Sequence, residues 1–197
     1  MKNKDIHNLK IAYIGGGSRA WAWTFMTDLA LDNDAGGEIR LYDIDLEAAN
    51  HNEIIGNGMP GNWRYTMCKK LPEAIADADF IIISILPGTF AEMRIDVHLP
   101  ERLGIIQSVG DTTGPGGIIR AMRTVPMFVK LAEAIRSYAP DAWVINYTNP
   151  LAICLRTLYH VFPKIKALGC CHEVFGTQEL LAEMVTHRLG VRGVKRQ

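Results

Sequence analysis

The chain has 197 residues, 48% of them hydrophobic, with 21 basic and 21 acidic side chains. That length buries the core of one ordinary domain, and the balanced charge leaves no electrostatic footprint for nucleic acid or an anionic membrane. No apolar run approaches the roughly 18 residues that span a bilayer.

From the amino terminus, "MKNKDIHNLKIAYIGGG" lacks the apolar core and small-residue cleavage site of a secretory leader. "LKIAYIG" (9–15) reads as a buried strand, and "WAWTFMTDLALD" (21–32) as a helix whose start lies near Ser18. "GEIRLYDID" (37–45) is a second strand, "LEAANHNEIIGNG" (46–58) a helix, "RYTMC" (64–68) a short strand and "LPEAIADA" again helical. The near-continuous apolar run "ADFIIISIL" (78–86) suits a strand covered on both faces. A longer helix fits 117–137, with Ile118, Met122, Val125, Val129 and Ala132 inward at helical spacing and Arg120, Arg123, Lys130 and Arg136 outward. "AWVINYT" (142–148) and "KIKALGC" (164–170) are further strands, separated by a helix over 151–161. Alternation of strand and helix predicts an α/β fold, an open, doubly wound parallel sheet with helices on both faces. The basic end "HRLGVRGVKRQ" leaves the last helix without a clear following element, so it reads either as a frayed tail or as a sign that the chain is the first part of something longer. The cysteines, at 68, 154, 170 and 171, form no spaced disulfide framework, and a reducing, cytoplasmic setting is expected.

Three turns carry chemistry. In "GGGSRA" the residues Gly15, Gly17 and Ala20 satisfy G-x-G-x-x-[GA] between a strand and a helix. The first glycine permits the tight turn, the second lets backbone approach a pyrophosphate, and the small third residue keeps helix and strand close. A helix N-terminus at Ser18 and Arg19 then faces the phosphates. Asp43, 28 residues after Gly15 in "LYDID", is placed to hold ribose hydroxyls, which favours NAD over NADP. Together these make the sheet Rossmann-like. "ILPG" (85–88) either makes a plain turn or lets the backbone at Pro87 pass close to the cofactor. "GDTTGPGG" (110–117) is either the cap of the long helix or a flexible active-site wall. Asn149, in "NYTNP" (146–150), either turns the chain before proline or donates to a polar substrate.

"GCCHE" (169–173) also falls at the carboxyl edge of the sheet. A disulfide between adjacent Cys170 and Cys171 is strained, and a structural zinc site wants four spaced ligands. A catalytic metal needs fewer protein ligands, so a metal site and a buried cysteine at a strand end both stay open. Strand alternation sends only one of the two thiols into a cleft, leaving the other to pack as a small buried hydrophobe.

"IAYIGGGS", "LYDID", "GDTTGPGGIIRAMRTVP", "NYTNP" and "GCCHEVFG", in this order and spacing, resemble family 4 glycoside hydrolases over nearly the whole chain. "CCHEVFG", "SILPG" and "DVHLPERLGI" look most like the alpha-galacturonidase branch. The resemblance implies a glycosidase that uses NAD and a divalent metal, usually manganese, acting by oxidation at C3 of the sugar, elimination, water addition and re-reduction. It makes Cys171 the metal ligand, His172 a proton donor beside the leaving group, and Asn149 and Arg94 substrate contacts. Gly15, Gly17 and Asp43 fall on its NAD site. The phospho-glucosidase members usually carry an acidic residue where this chain has His172, which argues against a phosphosugar substrate. A second metal-binding histidine and a tyrosine base belong downstream of the cysteine, and His187, in a polar helical context, reads as a surface residue. The expectation is therefore that residues 1–197 form the NAD-binding, amino-terminal half of such an enzyme, inactive alone and homo-oligomeric at full length. Two other readings remain: an NAD-dependent 2-hydroxyacid dehydrogenase, which needs no metal, and a non-catalytic NAD-binding fragment.

Overall fold

The computed structural model describes residues 5–191; the basic end beyond Val191 lies outside the described residues. Six strands form one sheet: β1 Leu9–Ile14, β2 Gly37–Tyr42, β3 Trp63–Met67, β4 Phe80–Ile83, β5 Trp143–Asn146 and β6 Lys166–Gly169. They lie in the order β3-β2-β1-β4-β5-β6, and every pairing is parallel. The order reverses beside β1, where β2 and β4 both pair with it, and that switch point opens a crevice at the carboxyl edge. The expected α/β fold is the one found.

The helices are α1 Trp21–Leu31, α2 Leu46–Asn57, α3 Leu71–Ile75, α4 Phe90–His98, α5 Gly114–Tyr138, α6 Leu151–Val161 and α7 Glu173–Leu189. Strand periodicity divides the core between the two faces of the sheet. Ala12, Ile14, Ile81, Ile83 and Val144 pack with Phe128 and Ile135 of α5, Leu158 of α6 and Ile75 of α3. Ile11, Tyr13, Ile39, Leu41 and Ile82 point to the other face, against Ala22 and Met26 of α1. Burial pushes the Tyr13 and Tyr65 hydroxyls and the Cys154 thiol up to about 12.

Two expectations are corrected. In α5 the inward stripe is Gly116, Gly117, Arg120, Thr124, Phe128, Leu131, Ala132 and Ile135; Ala132 is inward as expected, Val125 and Val129 are half-buried, and Ile118 and Met122 are exposed. The stripe runs at the expected helical spacing but is rotated, with Arg120 buried on it and paired to the half-buried Asp111. The other concerns 90–103, which holds α4 and a 3-10 turn Pro100–Leu103 where the sequence suggested no element. Helix α4 is nearly featureless in its apolar pattern, and what starts it is a capping box between Thr89 and Glu92. Strand ends are also shorter than expected: β4 stops at Ile83 and β6 at Gly169, where the backbone turns toward the crevice.

Gly56 sits inside α2 on the face that meets the buried Tyr65. A Cβ there would stand 2.6 Å from the Tyr65 ring. Glycine in a helix interior ordinarily costs about 1 kcal/mol against alanine, but overpacking a fixed ring costs about 1–3 kcal/mol. Gly56→Ala is therefore expected to lower the urea midpoint; a raised midpoint would show that the ring gives way freely.

Candidate functional site

The first turn after β1 is held from three sides. Gly15 has φ +96°, and a Cβ on it would lie 2.0 Å from the Ser84 carbonyl oxygen on the neighbouring strand's end. Its N–H and that of Gly16 both donate to the Tyr42 carbonyl at the end of β2 (2.9 and 3.0 Å). Gly17 N–H donates to Asp43 Oδ2 at 2.9 Å, and Asp45 N–H to Asp43 Oδ1 at 3.0 Å. A Cβ on Gly17 would stand 2.8 Å from the Ala48 methyl and 3.0 Å from Asp43 Oδ2. The two glycines thus let the turn's backbone pack directly on Ser84, Ala48 and Asp43, where any side chain would clash, and the Asp43 carboxylate is oriented beside this cradle by two backbone donors. A carboxylate offers about four acceptor positions, so capacity remains for a diol. Helix α1 begins at Trp21, the first residue of the expected 21–32 stretch, and the Ser18 hydroxyl just before it accepts from the N–H groups of Ala20 (3.3 Å) and Trp21 (3.1 Å). Arg19 is exposed beside it.

A residue that the sequence did not flag secures this turn. Asn52, 2% exposed on α2, donates to the carbonyls of Gly16 (2.7 Å) and Ser18 (3.0 Å) and accepts from Trp23 Nε1 (2.6 Å). The available signal was spacing: Ala49, Asn52 and Gly56 form one buried stripe of α2, and a carboxamide in such a stripe needs a buried partner.

The carboxyl ends of β4 and β5 are tied in the same manner. Ile85 N–H donates to Thr148 Oγ1 at 2.9 Å, and Asn146 closes a ring with the Thr148 backbone at 3.0 and 3.1 Å. Pro87 is buried, and Asn149 is half-buried before a cis peptide to Pro150. The Asn149 carbonyl accepts from Arg120 Nε at 3.4 Å, and Arg120 pairs through Nη1 with Asp111 at 2.7 Å. Buried Arg120 therefore joins "NYTNP" to "GDTTGPGG". Arg94 lies elsewhere, exposed on α4, where it lines an open hollow with Ile95, His98, Leu99, Glu101 and Arg102. The α4 helix is anchored to α5 by an Asp96–Arg123 ion pair.

At the end of β6, Cys170 N–H donates to the Asn146 carbonyl at 3.0 Å and extends the ladder by one step. Cys170 and Cys171 are both half-buried, and neither is in a disulfide. The expectation that one of them packs as a buried hydrophobe is corrected. Cys170 falls beside Tyr147, one step past the last paired residues of β5 and β6, and the two side chains are neighbours there. Burial pushes the Tyr147 hydroxyl's pKa up, and the Cys170 side chain adds to the rise. The buried thiols are Cys68 and Cys154 instead. His172 is exposed as the residue preceding α7, and His187 is exposed within it. Among the described residues no group of three or more His, Cys, Asp or Glu side chains is arranged to hold a metal. Cys171 thus offers one soft donor rather than a closed ligand set.

Residues 10–187 match the family described as family 4 glycosyl hydrolase. The chain is 60% identical to the alpha-galacturonidase of Lachnoclostridium phytofermentans, over 98% of its own length and 43% of that protein's. Among solved structures it is similar to lplD from Bacillus subtilis, with TM-score 0.86 and 61% identity over 94% of this chain and 43% of that one. It is also similar to a 6-phospho-alpha-glucosidase from gut microorganisms solved in complex with NAD and Mn2+, with TM-score 0.77 and 27% identity over 93% of this chain and 42% of that one. The chain spans less than half the length of the curated relatives it matches.

Asn52→Ala removes two donations to the glycine turn and orphans the Trp23 indole N–H. The loss is expected to cost about 1–3 kcal/mol in unfolding free energy, with faster amide exchange at Gly16–Ser18. Unaltered exchange there would show that the turn is held without Asn52.

Proposed function

Because the chain belongs to family 4 of the glycosyl hydrolases, we propose that it is the dinucleotide-binding part of an NAD- and divalent-metal-dependent alpha-galacturonidase. The observation that carries this reading is the identity with the alpha-galacturonidases over almost the whole chain. The turn geometry supports the cofactor. NAD fits the cradle at Gly15 and Gly17, with Ser18, Arg19 and Pro87 along its rim and the Asp43 carboxylate accepting from the ribose hydroxyls. When bound, NAD accepts and returns a hydride, and a divalent metal, manganese by the family's habit, polarises a carbonyl.

This chain's own residues position the sugar around that chemistry. Asn149 presents its carboxamide at the mouth, its backbone fixed through buried Arg120 and the half-buried Asp111. Cys171 supplies one thiolate to the metal, and His172, exposed at the start of α7, donates the proton to the leaving group. Arg94 is the candidate for the uronate carboxylate, with Arg102 on the same hollow and Glu101 there taken up by His98. We place the remaining metal ligand and the base outside these residues, and the active enzyme in the cytoplasm as a homo-oligomer. No helix among the described residues is long and apolar enough to cross a membrane. Neither alternative is favoured by the family assignment: a 2-hydroxyacid dehydrogenase has no use for Cys171, and a fragment without catalytic relatives would not share this identity.

Asp43→Ala removes the ribose bonds and, at the same time, the charge that repels a 2′-phosphate. Calorimetric titration should show NAD bound more tightly than NADP by the parent chain, and the gap narrowed by about tenfold in the variant. Equal affinities in the parent would remove Asp43 from the cofactor site.

At full length, the enzyme is expected to release galacturonic acid from an alpha-linked uronide in the presence of NAD and Mn2+, and to leave 6-phosphoglycosides untouched. Faster turnover of a 6-phosphoglycoside would reverse the assignment of substrate.

A further inference from the structure

The carboxyl edge carries a second polar row that the proposed chemistry does not use. The register pairs Ile14 with Ile83, Ile83 with Asn146 and Asn146 with Gly169. One step further along each strand brings Gly15, Ser84, Tyr147 and Cys170 side by side. All four follow the last ladder residue, so they share the face covered by α1. Along this row the Ser84 carbonyl occupies the space a Gly15 Cβ would need, Tyr147 N–H donates to the Ile83 carbonyl at 2.8 Å, and Cys170, its N–H on the Asn146 carbonyl at 3.0 Å, sets its side chain beside that of Tyr147. The Tyr147 ring is held from the other side by Trp21, with centroids 5.7 Å apart and planes inclined by 34°. Trp21 is the first residue of α1, and its N–H is bonded to Ser18 Oγ at 3.1 Å, within the glycine turn itself.

A continuous set of contacts thus runs from the turn through Ser18, Trp21, Tyr147 and Cys170 to the backbone of Cys171. We propose that Trp21 and Tyr147 are positioning residues that couple occupancy of the dinucleotide turn to the placement of the Cys170–Cys171 segment. The inference rests on the reading of that turn as the NAD site. A pyrophosphate on the turn fixes Ser18 and the first residue of α1, which holds the Trp21 ring on Tyr147. Tyr147 then holds Cys170, and with it the one-residue offset that aims Cys171 at the crevice. Trp21 and Tyr147 are 52% and 37% exposed, so the ring pair has room to shift. Such an arrangement orders the thiol segment only after the cofactor is in place. Coupling of this kind is reciprocal and is measured as a ratio of rates or affinities with and without the first ligand.

The thiols report on it directly, with no metal and no turnover. The native chain is labelled with iodoacetamide in the absence and presence of saturating NAD, and alkylation at Cys170 and Cys171 is followed by peptide mass spectrometry. NAD is expected to slow labelling of Cys170 by about fivefold or more, while Cys68 and Cys154 stay unlabelled in both states. Tyr147→Phe keeps the ring on Trp21 and removes only the hydroxyl. It should bind NAD about fivefold more weakly, by the same reciprocal factor, label Cys170 faster, and lose the NAD effect. Trp21→Ala, at an exposed position, should lose the effect as well. Parent labelling rates that ignore bound NAD, or an NAD effect that survives in Tyr147→Phe, would overturn the coupling. Calorimetry on the same samples separates this from the functional reading. NAD bound with unchanged labelling defeats the coupling alone, whereas no NAD binding defeats both.

Discussion

The rest of the molecule depends on the close approach of β1 to the end of β4. At Gly15 the chain must leave the sheet with φ near +96°, and the space where a side chain would sit is filled by the Ser84 carbonyl. No L side chain fits that position without breaking the pairing of the two central strands. The same step lets Gly15 and Gly16 share one acceptor at the end of β2. A single turn therefore locks three adjacent strands at equal height, and the cradle, the Asp43 carboxylate and the start of α1 all take their positions from it.

Around that turn, buried polar groups rather than apolar contacts set the geometry of the edge. Asn52 closes over the glycine turn, Thr148 and Asn146 bind β4 to β5, and Arg120 with Asp111 binds the end of β5 to the second glycine-rich turn. Each is nearly sealed from solvent and satisfied within the chain, which makes an alternative arrangement costly. Apolar packing alone would hold the sheet together yet allow its edge residues to shift relative to one another. The polar ties remove that freedom where the chemistry needs a fixed mouth.

Most of the sheet was legible in the sequence because a strand covered on both faces has little choice but to be apolar. "ADFIIISIL" could hardly be anything else, and the glycine turn after β1 announced both the strand's end and the helix that follows. What stayed hidden was of two kinds. In α5, charged Arg120 was assigned to solvent by the ordinary rule for arginine, and a partner 9 residues upstream at Asp111 overturned it. No periodicity shows an ion pair that forms only after the loop folds back. Helix α4 was missed because its residues have no consistent apolar face, and only the Thr89–Glu92 box marks its start. In the candidate site, Gly15, Gly17 and Asp43 were found because spacing along one chain segment defines them. Asn52, Thr148 and Arg120 were not, since each earns its place by reaching across to a distant segment. Alternation predicted one buried thiol of the adjacent pair, whereas both Cys170 and Cys171 are half-buried, since β6 is the edge strand of the sheet.

The strand order carries a consequence for how the sheet is assembled on the ribosome. β1 is central, with β2 and β3 on one side and β4, β5 and β6 on the other. As synthesis proceeds, β2 and β3 emerge soon after β1 and can zip onto one edge of it as a half-sheet. The other edge of β1, with Ile11 to Ile14 paired in the end to Phe80 to Ile83, has no partner until residue 83 has been made. For that interval the nascent chain presents a bare apolar strand edge, a template for any other extended segment in reach. Translation speed across the segment between β3 and β4 thus governs how long that edge stays open, and slow codons there would expose it at the one stage when the sheet can still be completed by the wrong chain.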